Sequence, residues 1–143
     1  MQTMEEKRFI DNGNGTVTDT ERNLMWKKTD AFQDEENFMN WYEAKDYVVQ
    51  LNIKKALSYS DWRLPTLEEA ESLYNANQFI KDVDHFEIFI NPCFKPGGRF
   101  TTWTSDEMPF DTAHVFYYRY GHPNLSHKEG MGKDTVRAVR DIK

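Results

Sequence analysis

The chain has 143 residues, of which 38% are hydrophobic, 15% aromatic and 29% charged, with a formal net charge of −6. That length suits one domain with a true core, and the acidic balance argues against a general nucleic-acid binder. The single cysteine, Cys93, excludes an intrachain disulfide, and no apolar run approaches the ~20 residues that cross a bilayer.

Aromatic residues are abundant for so modest an aliphatic content, so the core is expected to be built from rings, each burying roughly 150–250 Å². The start, Met1-Gln2-Thr3-Met4-Glu5-Glu6-Lys7-Arg8, has no apolar signal-peptide core. As it stands the chain is expected in the cytoplasm; removal of a signal peptide would make it exported or cell-surface instead.

Phe9-Ile10 runs into Asp11-Asn12-Gly13-Asn14-Gly15 and then Thr16-Val17-Thr18-Asp19. Repeated Asn-Gly supplies the positive backbone angles of tight turns and predicts a β-hairpin. A further strand is expected at Leu24-Met25-Trp26-Lys27. Residues 28–39 carry no clean period and read as a loop, with Asp34-Glu35-Glu36 a solvated acidic cluster.

Asn40 with Glu43, and Thr66 with Glu69, have the spacing of capping boxes, in which each side chain satisfies the other residue's free backbone amide. They predict helices over about 41–52 and 67–76, with Trp41, Ala44, Tyr47, Val48 and Leu51, and then Leu67, Ala70, Leu73 and Tyr74, facing the core. Pro65 drives Leu64 into an extended conformation just before the second helix. Residues 77–100, with Asn91-Pro92 and Pro96-Gly97-Gly98, read as irregular chain pinned by Phe79, Phe86, Ile88 and Phe89. Strands are expected at Thr101–Ser105, Ala113–Tyr120 and Val136–Arg140, separated by polar loops over about 106–112 and 121–134. The sum is one α+β domain spanning 1–143.

These elements carry a resemblance. Phe9 to Asp19, Leu24-Met25-Trp26, Trp41-Tyr42-Glu43-Ala44, Asp61-Trp62-Arg63-Leu64-Pro65-Thr66, Trp103-Thr104-Ser105 and Val136-Arg137-Ala138-Val139-Arg140 occur in that order. Together they resemble the bacterial Lcl C-terminal-domain family, named for the end domain of a collagen-like adhesin, from about residue 8 to 140. The resemblance implies a C-type-lectin-like fold shared with the formylglycine-generating enzymes. In that fold the terminal strands pair, two helices flank small antiparallel sheets, and long loops in the second half bind ligands. Many family members are exported, and members usually have more cysteines in the second half; this chain departs in showing no visible signal and in having the single Cys93. The formylglycine-generating enzymes hold copper with two cysteines, a site that Cys93 alone cannot reproduce.

Cys93 itself reads as a small apolar filler, with a nucleophilic Cys–His pair as the alternative. Asp11 to Gly15 is not an EF-hand, because Gly13, Gly15 and Arg22 occupy ligand positions. Asp106, Glu107 and Asp111 could hold calcium near a strand end or could simply be solvated. His114, His122 and His127 match no compact zinc spacing.

Strict alternation puts His114, Phe116, Tyr118 and Tyr120 on one face of their strand and Ala113, Val115, Tyr117 and Arg119 on the other. The Ala/Val face reads as core towards the strand's start. The ring-rich face has three readings: a second core layer, a partner surface, or a platform for stacking a sugar. Arg137 and Arg140, if buried, need carboxylate partners, for which Asp61 and Glu69 are candidates.

The expected function is a non-enzymatic binding module for a protein or carbohydrate ligand, without cofactor and without membrane insertion. Residues 106–112 and 119–127 are its expected face. Trp103, Tyr118, Tyr120 and His122 would supply stacking, and Asp106, Arg119 and Asn124 polar direction. The alternatives are a cytoplasmic homo-oligomeric assembly subunit and an enzyme running other chemistry on the formylglycine-type scaffold.

Overall fold

The computed structural model describes residues 8–130 and 132–143. Met1–Lys7, on which the expectation about export rests, lie outside the described residues. The first hairpin forms where the Asn-Gly pairs stand. Strand β1 (Phe9–Asp11) returns as β2 (Thr16–Asp19), with Gly13 and Gly15 at positive φ and the Gly13 amide bonded to Asp11 Oδ1 at 2.9 Å. Strand β3 (Leu24–Lys27) adds antiparallel to β2.

Residues 28–39 are not all loop. Asp30 caps a short helix, α1 (Ala31–Glu35), through a capping box with Gln33. Asp34 is not a solvated acid but takes bonds from Lys27 Nζ and from the Tyr47 hydroxyl, the latter at 2.5 Å. Helix α2 (Trp41–Ile53) starts at the Asn40–Glu43 box and α3 (Leu67–Ser72) at the Thr66–Glu69 box, as their spacing predicts. Helix α3 stops four residues early because the Asn75 amide turns to the Phe89 carbonyl at 2.8 Å instead of continuing the helical ladder.

The segment 77–100 contains one regular pairing, β4 (Ile80–Lys81) with β5 (Glu87–Ile88). Strands β6 (Thr101–Met108), β7 (Thr112–Tyr117) and β8 (His122–His127) form a three-stranded antiparallel meander, β6 carrying a register shift between Trp103 and Glu107. Both expected loops therefore hold strand: residues 106–108 extend β6, and 122–127 are β8. Strand β8, His-Pro-Asn-Leu-Ser-His, shows no apolar alternation because it is an exposed edge, where Pro123 is tolerated for lack of an outer partner.

Strand β9 (Val139–Asp141) pairs with β3, closing a sheet of order β1-β2-β3-β9. The preceding residues stitch the two main sheets together: the Ala138 carbonyl accepts from Lys27 N at 3.0 Å, and Thr135 O accepts from Trp103 N at 2.9 Å.

Two apolar clusters result. One joins Leu24, Trp26, Ala70, Leu73, Ile88, Phe94, Phe116 and Tyr118; the other joins Met25, Trp41, Tyr47, Trp62, Leu64, Trp103, Ala113, Val115 and Val136. Alternate residues of β3 and β7 feed different clusters, so both faces of these strands are buried. Ile88 is in the core as expected, whereas Phe79 and Phe86 are exposed. Among the described residues no helix is long and apolar enough to cross a membrane.

Candidate binding face

The chain between β7 and β8 turns over Tyr118–Gly121, and the turn depends on Gly121. Its φ is +79°, the Tyr117 carbonyl accepts its amide at 2.8 Å, and a Cβ there would lie 2.5 Å from the Tyr74 ring. Only glycine fits such a close backbone approach at a left-handed angle. The turn sends Tyr118 inward and Tyr120 outward.

Tyr118 is 1% exposed and donates its hydroxyl to the Ala70 carbonyl at 2.7 Å. Burial pushes its phenol up, with Arg137 opposing. Trp103 is likewise 1% exposed, its indole donating to the Met39 carbonyl at 2.8 Å. The expectation that these two rings stack on a ligand is corrected: both faces of β7 and the inner part of β6 are covered, so the rings are spent in the core.

Asp106 is also committed. Its Oδ1 accepts the Leu67 amide at the start of α3, 2.9 Å away. Glu107 takes Lys128 Nζ at 2.6 Å, and Asp111 takes the Tyr42 hydroxyl at 2.7 Å with Lys128 Nζ 3.9 Å away, so each of the three carboxylates weighed for calcium is already partnered. Among the described residues no three His, Cys, Asp or Glu side chains are grouped as metal ligands.

Tyr120, at 61% exposed, is at the surface with His122. Their rings lie 5.9 Å apart and nearly parallel, at 17°. Tyr117 meets both edge-on at 6.3 and 5.8 Å, and its hydroxyl accepts from Asn124 Nδ2 at 3.4 Å. Four of the seven expected residues, Arg119, Tyr120, His122 and Asn124, thus fall on one face.

Arg119 anchors this face. Its Nε and Nη2 donate to Asp82 Oδ2 at 3.0 and 2.8 Å, and its guanidinium lies between the rings of Phe86 at 4.2 Å and Phe100 at 4.0 Å. Arg99 sits 5.8 Å from the Phe100 ring and 5.0 Å from Phe38, and pairs with Asp84 at 2.8 Å. The Arg99 guanidinium holds the Asp84 carboxyl below the usual range. Rings and guanidinium groups form one ladder, in which Arg119 and Arg99 also share Asp84 Oδ2, at 3.4 and 2.8 Å. Cation–π contacts of this kind fix an arginine's plane and stiffen its neighbours.

Beside the ladder opens a shallow cleft of about 480 Å³, lined by Lys81, His85, Phe86, Glu87, Arg119 and Tyr120. Lys81, His85, Phe86, Phe100 and Tyr117 escape sequence reasoning. The first four belong to the segment read as irregular, where no periodicity marks a binding residue. Phe86 would pack inward on hydrophobicity alone, yet it is capped by a cation at the surface.

The residues weighed for chemistry lie elsewhere. Cys93 is half-buried, its thiol directed at the Phe9 carbonyl 3.8 Å away, and burial pushes its pKa up. Arg140 does pair with Asp61, at 2.6 Å, and Glu69 is taken by Arg63 at 2.7 Å. Arg137 is buried over Phe94 and donates to the Lys28 carbonyl.

The family model for the Lcl C-terminal domain matches residues 15–140, nearly the whole described chain. The chain belongs to that family. No curated protein shows significant similarity to it. In this Lcl C-terminal domain the six ordered motifs occupy the scaffold: the β1–β2 hairpin, β3, the start of α2, the Trp62–Thr66 junction, β6 and the closing segment to β9. The exposed cleft lies outside all six.

Proposed function

We propose that this Lcl C-terminal domain is a non-enzymatic binding module of C-type-lectin-like fold whose ligand is a hydroxyl-rich saccharide. The observation that carries the reading is the exposed, nearly parallel Tyr120–His122 ring pair at the rim of the Arg119 cleft. Rings held at a fixed angle present flat apolar faces to the C–H side of a sugar, while nearby polar groups meet its hydroxyls. Asn124, Lys81 and His85 supply that polar fringe.

A neutral or weakly charged sugar suits the site better than a polyanion. Lys81 stands opposite Glu87 in the β4–β5 ladder, and Arg119 is already paired with Asp82. The net charge of −6 acts in the same direction. The lectin-like assignment draws support from the pairing of β3 with the closing strand β9 and from the family itself.

A glycan array probed with the wild-type domain, Tyr120→Ala and His122→Ala tests the reading. Hits on the wild type that both variants lose are expected. An array without hits, or hits that survive both substitutions, overturns it.

A further inference from the structure

The tip of the β6–β7 hairpin carries the most exposed Phe, Tyr or Trp of the described residues. Phe110 is 92% exposed, and it stands at the tip with Asp111, both in the left-handed region at φ 63° and 58°. Three residues, Pro109 to Asp111, link the paired Met108 and Thr112; left-handed positions in such a loop ordinarily use Asn or Gly, and a Phe there costs about 1–2 kcal/mol of backbone strain. The tip is nevertheless held firmly. The Tyr42 hydroxyl donates to Asp111, the Lys128 amide bonds the Asp111 carbonyl at 2.9 Å, and Thr112 Oγ1 bonds the Pro109 carbonyl at 2.9 Å. A strained, exposed, rigidly displayed aromatic has the properties of an interface anchor.

A matching hole lies on the same surface. Between α2 and β6 is a cleft of about 460 Å³ with Trp41, Val48, Val49, Trp62 and Leu64 in its walls. Glu107, three residues before Phe110 on the same hairpin, also lines it. Phe110 does not fill its own cleft, as its exposure shows. Along the outer side of α2 the apolar residues Tyr42, Val49 and Ile53 are 45%, 49% and 68% exposed, continuing the apolar surface beside the cleft.

We propose that two copies of this chain associate about a two-fold axis, each inserting Phe110 into the α2–β6 cleft of the other. Knob and hole sit side by side on one face, so one rotation satisfies both contacts at once, as a closed, self-complementary interface requires. Charges agree with this pairing. The tip presents Asp111, and the cleft side presents Lys45 within its lining and Lys54 and Lys55 at the end of α2, all exposed. The two rings would bury roughly 300–500 Å² together, and a stable dimer needs about 1,200 Å² or more. The α2 stripes must therefore join the contact. This surface is separate from the Tyr120–His122 face, so the two readings stand or fall independently.

Sedimentation equilibrium from micromolar to submillimolar protein tests the proposal, with Phe110→Asp for the knob and Val49→Asp for the hole. A concentration-dependent dimer is expected, converted to monomer by either substitution, with the circular-dichroism spectrum of the folded protein retained in both. In a Cys93→Ser background, the double variant Phe110→Cys, Val49→Cys should give a disulfide-linked dimer on oxidation, and neither single-cysteine variant should do so through this pair. A monomer at every concentration, a dimer that survives Phe110→Asp, or a ladder of higher oligomers overturns it.

Discussion

Arg63 holds Glu69 with both ends of its guanidinium, Nη1 to Oε1 at 2.7 Å and Nη2 to Oε2 at 2.8 Å, while the same Oε1 accepts the Thr66 amide at 2.8 Å. The Trp62–Thr66 junction is thereby locked onto the first turn of α3, and Arg63 reaches on to Asp141 at the end of β9. The middle of the chain and its last strand meet at one fork. Burial pushes the Glu69 carboxyl up, but the bonds from Arg63 and the Thr66 amide outweigh it and hold the carboxyl below its ordinary value.

Glu69→Gln keeps the shape and removes the charge, so it should cost about 1.5–3 kcal/mol at neutral pH. A carboxylate whose folded pKa is depressed adds stability that is present above its unfolded value of about 4.3 and is lost as pH falls through the folded value. The difference between wild type and variant in urea unfolding should therefore be full at about pH 7 and shrink towards about pH 3. An equal difference at both pH values would assign the fork no ionic contribution.

The same fork shows what the sequence reveals and what it hides. Both expected capping boxes form because a cap is a local contract between residues three apart, readable without tertiary context. The β1–β2 hairpin is legible for the same reason. Strand β8 and helix α1 are not: β8 is fixed by backbone pairing to β7 and by no pattern of its own, and α1 is only five residues long. At the candidate face, exposure separates Tyr120 from Tyr118 although they stand two residues apart. Alternation assigns them one face, and the turn at Gly121 together with burial of both faces of β7 divides them. Tyr118→Phe should accordingly lose about 1 kcal/mol with its bond to Ala70, and leave glycan binding intact.

Buried phenols give the fold an alkaline limit. Burial, reinforced by Asp34, raises the Tyr47 pKa far above the tyrosine range, and burial raises that of Tyr118. A phenol whose folded pKa is raised adds stability that is complete below its unfolded value of about 10 and is lost as pH rises above it. Phenolate absorbance should show Tyr47 and Tyr118 titrating only as the protein unfolds. Tyr47→Phe should soften that alkaline loss while costing about 1–2 kcal/mol at neutral pH, because Lys27 and Asp34 lose their shared hydroxyl. Early titration of every tyrosine in the folded protein would contradict this.

Removing Arg119 should damage the fold as well as the face. The Asp82 side chain has no exposure and depends on Arg119 for its countercharge. Arg119→Ala strands that carboxylate, at a cost of about 3–5 kcal/mol. Arg119→Lys keeps a charge but loses the planar fork between Phe86 and Phe100, and should fall midway between wild type and alanine. Urea midpoints of the three proteins should follow that order; lysine matching wild type would show that charge alone suffices.

Gly121 offers the sharpest steric test of how the ring pair is displayed. Tyr74, the ring a new Cβ would strike, is held edge-on by Phe89 at 5.9 Å and Phe116 at 6.2 Å, so it has little room to retreat. Gly121→Ala should therefore cost about 1–2 kcal/mol for the left-handed angle and about 1–3 kcal/mol for the overlap. The two contributions can be separated. In a Tyr74→Ala background the overlap has gone and only the backbone penalty remains, so Gly121→Ala should cost less there than it does in the wild type. A double-mutant cycle by thermal unfolding reads that coupling directly. Strict additivity would mean that Tyr74 does not confine the turn, and that something other than its ring sets the angle at which Tyr120 and His122 face solvent.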